Sequence, residues 1–296
     1  MIELTKIMDD PNGIVSKLIF EDGDTIAETV AYKFEDRGVV CFSVQSGCRV
    51  GCSFCGTGKR FIRNLLGIEM HVQVQEALKV IGERKKIQLM SMSMGEPMDN
   101  WMELKRYYMY MMKPTYPDFH FYVSTVGLDN SEALTDFLDF GKRDPNFGLQ
   151  FSLHHHKDEK RKILLGNYPK LLDLDILRKY GILWTAYTGK PCYWNYIISK
   201  ENNNHNAIYE VVKGMHLTCS VQCNINELSQ ADIEPVQEFA TKIRSKINTI
   251  SDWSGSCGTE VSVFNPAGQD TIGGGCGQLL FVQERMKDLG IEKQAL

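Results

Sequence analysis

From residue 39 onward the chain alternates short apolar runs with helical periodicities. VVCFSVQ (39–45), QLMSMSM (88–94), FHFYVST (119–125), GLQFSLH (148–154), YWNYIIS (193–199), SVQCNIN (220–226) and EVSVFN (260–265) read as strands. Each is short and rich in β-branched or aromatic residues. Helical patterns fall between them, near 69–85, 101–112, 131–141, 170–180, 205–216, 232–247 and 278–289. In the first, Val74, Ala77, Leu78 and Ile81 recur at i, i+3, i+4 and i+7, which makes one apolar stripe. Strands interleaved with helices predict an α/β fold of βα units, a parallel sheet curled into a partial (β/α)6 TIM-like barrel. Chemistry in such barrels sits at the C-terminal ends of strands. The preceding stretch LIFEDGDTIAETVAYKF (18–34) reads as a small N-terminal β-hairpin cap. The predicted organisation is an extension and hairpin over 1–36, a core barrel over 37–266, and a C-terminal loop and helix over 267–296.

Composition narrows this only slightly. The 296 residues suffice for one large α/β domain or two small ones. No apolar run approaches the roughly 18 residues of a membrane span. The opening MIELTKIMDD turns acidic before any apolar segment forms, so no signal peptide and a cytoplasmic location are expected. A net charge of -4 gives no global attraction to nucleic acid, so any such contact must rest on local cations. Candidates are Lys59, Arg60 and Arg63, and Lys157, Lys160, Arg161 and Lys162; a solvated face is the competing reading for both groups. Tyr and Trp around Lys190, in YTGKPCYW (187–194), offer base-stacking surfaces, although such residues more often fill cores. Nine cysteines in a reducing compartment point to metal or catalytic thiols and away from a disulfide scaffold.

Three of them are packed into CRVGCSFCG (48–56), spaced Cys48-x3-Cys52-x2-Cys55 on the loop after the first core strand. Structural zinc is closed and tetrahedral, with four protein ligands in two pairs, and fits this triplet poorly. A four-iron cube bound by three thiolates would leave one iron open to a small chelating molecule. The spacing is the signature of radical S-adenosylmethionine (SAM) enzymes. The wider stretch CFSVQSGCRVGCSFCGTGKRFIRNL (41–65) resembles the RNA adenosine methyltransferases of the RlmN/Cfr family. SMGEP (93–97), VSTVG (123–127), FSLHHHKDEKR (151–161) and GGGCGQL (273–279) resemble further motifs of that family, in family order.

The resemblance implies roles residue by residue. Cys48, Cys52 and Cys55 would ligate a [4Fe–4S] cluster. Gly95 and Glu96, Ser124, Ser152, Leu153 and His154 would contact SAM. Asn203, seven residues after Tyr196 and within ENNNHN, would join them. On residue type alone, His154 is more often a satisfied strand-end histidine, and the run His154-His155-His156 is not metal-like, since adjacent strand side chains point to opposite faces. Cys276 matches the family's S-methylated cysteine, Cys41 the thiol that resolves the covalent intermediate, and Glu28 the glutamate proposed as base. Cys192, Cys219, Cys223 and Cys257 match nothing catalytic and read as structural.

What the resemblance implies, then, is a methyltransferase acting on C2 or C8 of an adenosine in rRNA or tRNA, with Cys41 and Cys276 closing a disulfide late in the cycle. An electron donor such as flavodoxin or ferredoxin is implied, and a monomer is expected. Twenty-seven residues precede Glu28, so the family's RNA-holding accessory domain is expected to be missing or reduced. Where the family has a TRGDD-like stretch, VFNPAGQDTIGGG (263–275) keeps Asp270 and has no arginine. Two other readings stand beside this one: a radical SAM methylase of a nucleotide or other small molecule, and a non-catalytic iron–sulfur or zinc interaction module.

Overall fold

The computed structural model describes residues 1–220, 233–250, 260–269, 271–275 and 278–279. Cys276, Asp270, Cys223, Cys257, most of the strand expected at 220–226 and nearly all of the helix expected at 278–289 lie outside the described residues. Two compact units emerge. Unit 1 holds Met1–His120 and the described residues from Pro266 onward; unit 2 holds those from Phe121 to Asn265.

In unit 1, β1 (Glu3–Asp9), β2 (Val15–Asp22), β3 (Thr25–Lys33) and β4 (Gly38–Cys41) pair antiparallel in sequence order. The expected hairpin is therefore the centre of a longer meander. β1 escaped the sequence reading because ELTKIMD is half polar, as suits an edge strand. β5 (Gln45–Gly47) and β6 (Phe61–Asn64) form a separate two-stranded ladder. Helix α1 (Gly67–Ile81) follows, with Met70, Val74, Ala77 and Ile81 buried as one stripe. It stops four residues short of the expected end, where Gly82 adopts φ 69°, a positive value that glycine takes readily and a helix cannot continue through. β7 (Ile87–Ser91) then returns parallel to β4. Helix α2 (Trp101–Arg106) continues through a π-helical turn, Tyr107–Met112, into the short α3 (Lys113–Thr115).

Unit 2 is built from β8 (His120–Thr125), β9 (Phe147–Ser152), β10 (Tyr193–Ile197), β11 (His216–Ser220) and β12 (Val261–Phe264), each parallel to the next. Helices α4 (Ser131–Arg143), α5 (Asp158–Leu164), α6 (Leu174–Thr188), α7 (His205–Val212) and α8 (Glu234–Ile250) connect them. The α/β class read from the sequence is the one found. α7 ends earlier than its periodicity suggested, at Lys213 before Gly214 (φ 83°), which frees His216–Ser220 to pair with β10. One sheet face is apolar, with Leu149, Phe151, Trp194, Tyr196 and Cys219 fully buried. The other face is different. Register aligns Ser124 with Gln150 and Ser152 with Asn195 and then Thr218, so these polar side chains share it near the strands' C-terminal ends. Tyr122, Tyr193 and His216 form an aromatic layer beneath them, with ring centroids 6.1 and 5.3 Å apart. Parallel strands buried on both faces are normally apolar on both, so a polar face at this end is a candidate site.

Candidate active site

The three thiols of unit 1 lie on a loop whose ends are tied. β5 and β6 pair Gln45 with Asn64 and Ser46 with Arg63, and the Cys48 N–H donates to the Arg60 carbonyl at 2.9 Å. The Asn100 amide donates to the carbonyls of Val44 and Leu65, at 2.7 and 2.8 Å, which clamps the two stems together. Gly47 is required at the stem: at φ 78°, a Cβ there would lie 1.8 Å from the Arg60 oxygen. Cys48, Cys52 and Cys55 form no disulfide among the described residues, and each is partly exposed. Burial pushes the Cys48 thiol up to about 12, opposed by backbone N–H groups of Val50 and Gly51 aimed at its sulfur, while the charges of Cys55 and Glu96 raise it further.

This donor set fits an iron–sulfur cluster. A thiol held that high is not a thiolate unaided, and ligation to a cationic metal is what deprotonates it. N–H groups directed at a ligating sulfur are a known means of setting a cluster's potential. Among the described residues, no three His, Cys, Asp or Glu side chains gather as ligands of a single ion; the thiolates of a cube each take a different iron.

The GEP turn packs against the same loop. The Glu96 N–H donates to Gln45 Oε1 at 3.0 Å, and the buried Glu96 carboxylate accepts from the Met98 N–H at 2.9 Å, which fixes its orientation. Gly95 sits at φ 101°, with Gln45 only 2.6 Å from where a Cβ would be. No other residue fits.

Glu28 and Cys41 share one face of the unit 1 sheet. Cys41 pairs with Val30, which pairs with Lys17, and Glu28 lies two residues from Val30. The hydroxyls of Ser43 and Ser93 both donate to the Glu28 carbonyl at 2.5 Å, tying Glu28 to the strand of Cys41 and to the SMGEP segment. The Glu28 carboxylate is fully buried and ion-paired to a fully buried Lys17, Oε2 to Nζ 2.6 Å. Burial raises the Cys41 thiol to about 12. Residues flanking Cys276 lie on this face: Ala267 and Ile272 before it and Leu279 after it pack with Val15, Val30, Tyr32, Val39 and Cys41. The Tyr32 hydroxyl donates to the Gly274 carbonyl at 3.2 Å. Gly275 and Gln278, on either side of the undescribed pair 276–277, are joined by two hydrogen bonds of 3.0 and 3.2 Å.

In unit 2, Ser124 and Ser152 are partly exposed at the ends of β8 and β9, and Leu153 is fully buried. His154 leaves the strand with φ 59°, so the alternation expected of the three histidines stops there, and His155 and His156 stack at 4.5 Å. Burial first, then the charge of Arg161, lowers His154 to about 3. It is neutral, and its Nδ1 accepts from the Ile197 N–H at 3.3 Å. Among the three adjacent asparagines, Asn202 is buried and commits its amide to the carbonyls of His154 and Ile197, while Asn204 caps α7. The exposed Asn203 is the one whose side chain is not spent on the backbone.

Several cation assignments change. Arg161 is fully buried and donates to the carbonyls of Leu153, Leu172, Val126 and Ser152, so it cannot meet a phosphate. Arg63 is forked onto Glu69 by two 2.7 Å bonds, and Lys162 pairs with Asp173. Arg60, Lys157 and Lys160 are exposed. Lys190 bonds the carbonyls of Asp144 and Phe147, with Nζ 5.4 Å from the ring centroid of buried Trp184, a core arrangement. Sequence reasoning missed Lys17, Asn100 and Asn202; no periodicity or motif singled them out.

A thiol-bearing loop followed by βα units with a polar strand-end face defines the class of radical SAM cores, and the Radical SAM superfamily model matches residues 42–191. A protein of Clostridium acetobutylicum described as a probable dual-specificity RNA methyltransferase RlmN is 28% identical over 294 residues, covering 94% of this chain and 79% of that one. One of the same description from Clostridium botulinum strain Alaska E43 is 30% identical over 276 residues, covering 88% and 73%. The crystal structure of a radical SAM methyltransferase from Sphaerobacter thermophilus superposes with a TM-score of 0.76 at 25% identity, over 95% of this chain and 81% of that one. The chain belongs to the radical SAM superfamily and, within it, to the RlmN family of methyltransferases. Its cofactors are those of the family, a [4Fe–4S] cluster and SAM. Among the described residues no helix is long and apolar enough to cross a membrane.

Proposed function

We propose that the chain methylates C2 or C8 of an adenosine in RNA, with Cys276 carrying the methyl group as S-methylcysteine. The observation that carries this reading is the seating of the residues flanking Cys276 on the sheet face that bears Glu28 and Cys41. The relatives described as RNA methyltransferases support an RNA substrate, and Arg60, Lys157 and Lys160 are exposed cations suited to phosphate.

An adenine ring carbon is electron-poor and does not attack a sulfonium methyl group, whereas a thiolate does. Cys276 takes the methyl and becomes a thioether. Cys41, kept as a neutral thiol by burial, does not compete for it. Cys48, Cys52 and Cys55 would hold the cluster, and Gly95, Glu96, Ser124, Ser152, Leu153, His154 and Asn203 would hold SAM. When bound, these cofactors supply the methyl group, the radical that removes one hydrogen atom from it, and the sink for one electron. The carbon radical on Cys276 adds to the ring, and Glu28 takes the ring proton. Cys41, once deprotonated, attacks the Cys276 sulfur: the S–S bond forms, the S–C bond breaks, and its electron pair passes to the carbon, which takes a proton. A dithiol reductant then reopens the Cys41–Cys276 disulfide with two electrons, and a donor of the flavodoxin or ferredoxin class supplies the reducing electron for SAM cleavage.

The test uses anaerobically reconstituted protein and total RNA from cells lacking it, with digested nucleosides read by mass spectrometry. Methyladenosine forms with the unmodified chain, none forms with Cys276→Ala, and Cys41→Ala accumulates a covalent protein–RNA adduct. Unchanged methylation by Cys276→Ala refutes the relay.

A further inference from the structure

Lys17 has no part in the reaction as written, yet its burial is complete. Its Nζ lies 2.6 Å from Glu28 Oε2, and neither side chain is exposed. Nζ also donates to the Gly273 carbonyl at 3.4 Å, and Tyr32 holds the next carbonyl, Gly274. One ammonium group thus touches both the glutamate and the segment that leads into Cys276, three residues on. Burying a lysine among Val15, Val30 and Ile272 carries a heavy desolvation cost, and an apolar residue of similar size usually stabilises such a place as well. What an apolar residue lacks is a charge to pair with the buried carboxyl group and a donor to share with the loop.

We propose that Lys17 is a positioning residue: its ion pair fixes the Glu28 side chain in place and its second bond ties Gly273 to it, so that the base and the methyl-bearing thiol keep one register. This rests on the reading above, in which Glu28 is the base and Cys276 the relay. Lys17 does not touch the substrate. It acts through Glu28.

A double-mutant cycle tests this on the full chain, anaerobically reconstituted, with the same total RNA as probe. Lys17→Met, Glu28→Gln, the double variant and Lys17→Arg are scored for cluster absorbance, methionine release, Cys276 methylation, adduct and methyladenosine. Loss of a general base costs about 10²–10⁴-fold. Lys17→Met is expected to keep its cluster and methylated Cys276, to lose product by that factor, and to accumulate adduct. The double variant should be no slower than Glu28→Gln alone, since two residues acting through one group are not additive. Lys17→Arg, which restores the charge, should recover at least part of the product. The proposal is overturned if Lys17→Met forms product at the normal rate, or if the double variant is slower by the product of the two single effects. Should Lys17→Met not fold, the double variant, which buries no charge at this place, is compared with Glu28→Gln and decides by the same rule. Normal product from Glu28→Gln itself would instead sink the base assignment on which the proposal rests.

Discussion

Replacing Arg161 by Met should cost unit 2 a large part of its stability and loosen SAM binding with it. The guanidinium is fully buried and donates to Leu172 at 3.0 Å, Leu153 at 3.2 Å, Ser152 at 3.4 Å and, closest, Val126. Methionine fills similar space but leaves these carbonyls without that donor. A buried group stripped of its partner costs about 1–3 kcal/mol; the Leu153 carbonyl keeps the His155 N–H at 2.8 Å, so the other three losses come to roughly 3–6 kcal/mol after some relaxation. That is a large share of the roughly 5–15 kcal/mol that separates folded from unfolded proteins. Three of the acceptors, Val126, Ser152 and Leu153, lie just past or at the ends of β8 and β9, beside the proposed SAM contacts. Lysine at 161 keeps the charge but has no fork, so Arg161→Lys should recover less than half of the loss. Urea unfolding followed by the fluorescence of Trp184 and Trp194, both fully buried in this unit, measures stability. Anaerobic calorimetry measures SAM affinity, which should weaken at least tenfold, equivalent to about 1.4 kcal/mol. An Arg161→Met protein within 1 kcal/mol of the unmodified chain, with the same affinity, would show that the strand ends stand without this clamp.

Three further outcomes follow from the same geometry. His154 is depressed to about 3 from 6.5, so its contribution is complete above about pH 6.5 and is lost as pH falls toward 3. At pH 5 that loss is about 2 kcal/mol, and His154→Asn should flatten the change in urea midpoint between pH 7 and 5; equal slopes in the two proteins contradict it. Cys41, raised to about 12 by burial, should react with iodoacetamide about tenfold faster per pH unit from 7 to 10, and a plateau near pH 9 counts against it. Gly95→Ala places a Cβ 2.6 Å from Gln45 at a positive φ, costs about 2 kcal/mol or more, and should abolish methionine release while the cluster still assembles.

How much of this was legible beforehand depends on how local each constraint is. The thiol triad could be read outright, because a cluster takes several ligands from one short loop and Cys48, Cys52 and Cys55 fall within eight residues. The parallel strands β4, β7, β8, β9 and β10 were legible from compact β-branched or aromatic runs. The buried charges were not. Val15 to Phe20 on β2 are buried at every position, so both faces of the strand are covered and alternation gives no sign of where Lys17 points. DEKRKIL, which is α5, has five charges in seven residues and reads as a solvated helix, yet Arg161 turns into the core. Both cations are explained by what lies across the fold from them: a carboxylate on the neighbouring strand in one case, strand-end carbonyls in the other. Apolar packing alone gives no reason for a full charge at either position, and each is bonded to backbone that leads directly to a proposed reacting or cofactor-binding residue. The two fully buried cations among the described residues therefore sit beside the proposed reacting and cofactor-binding residues, which is the distribution expected if positioning, more than stability, retained them.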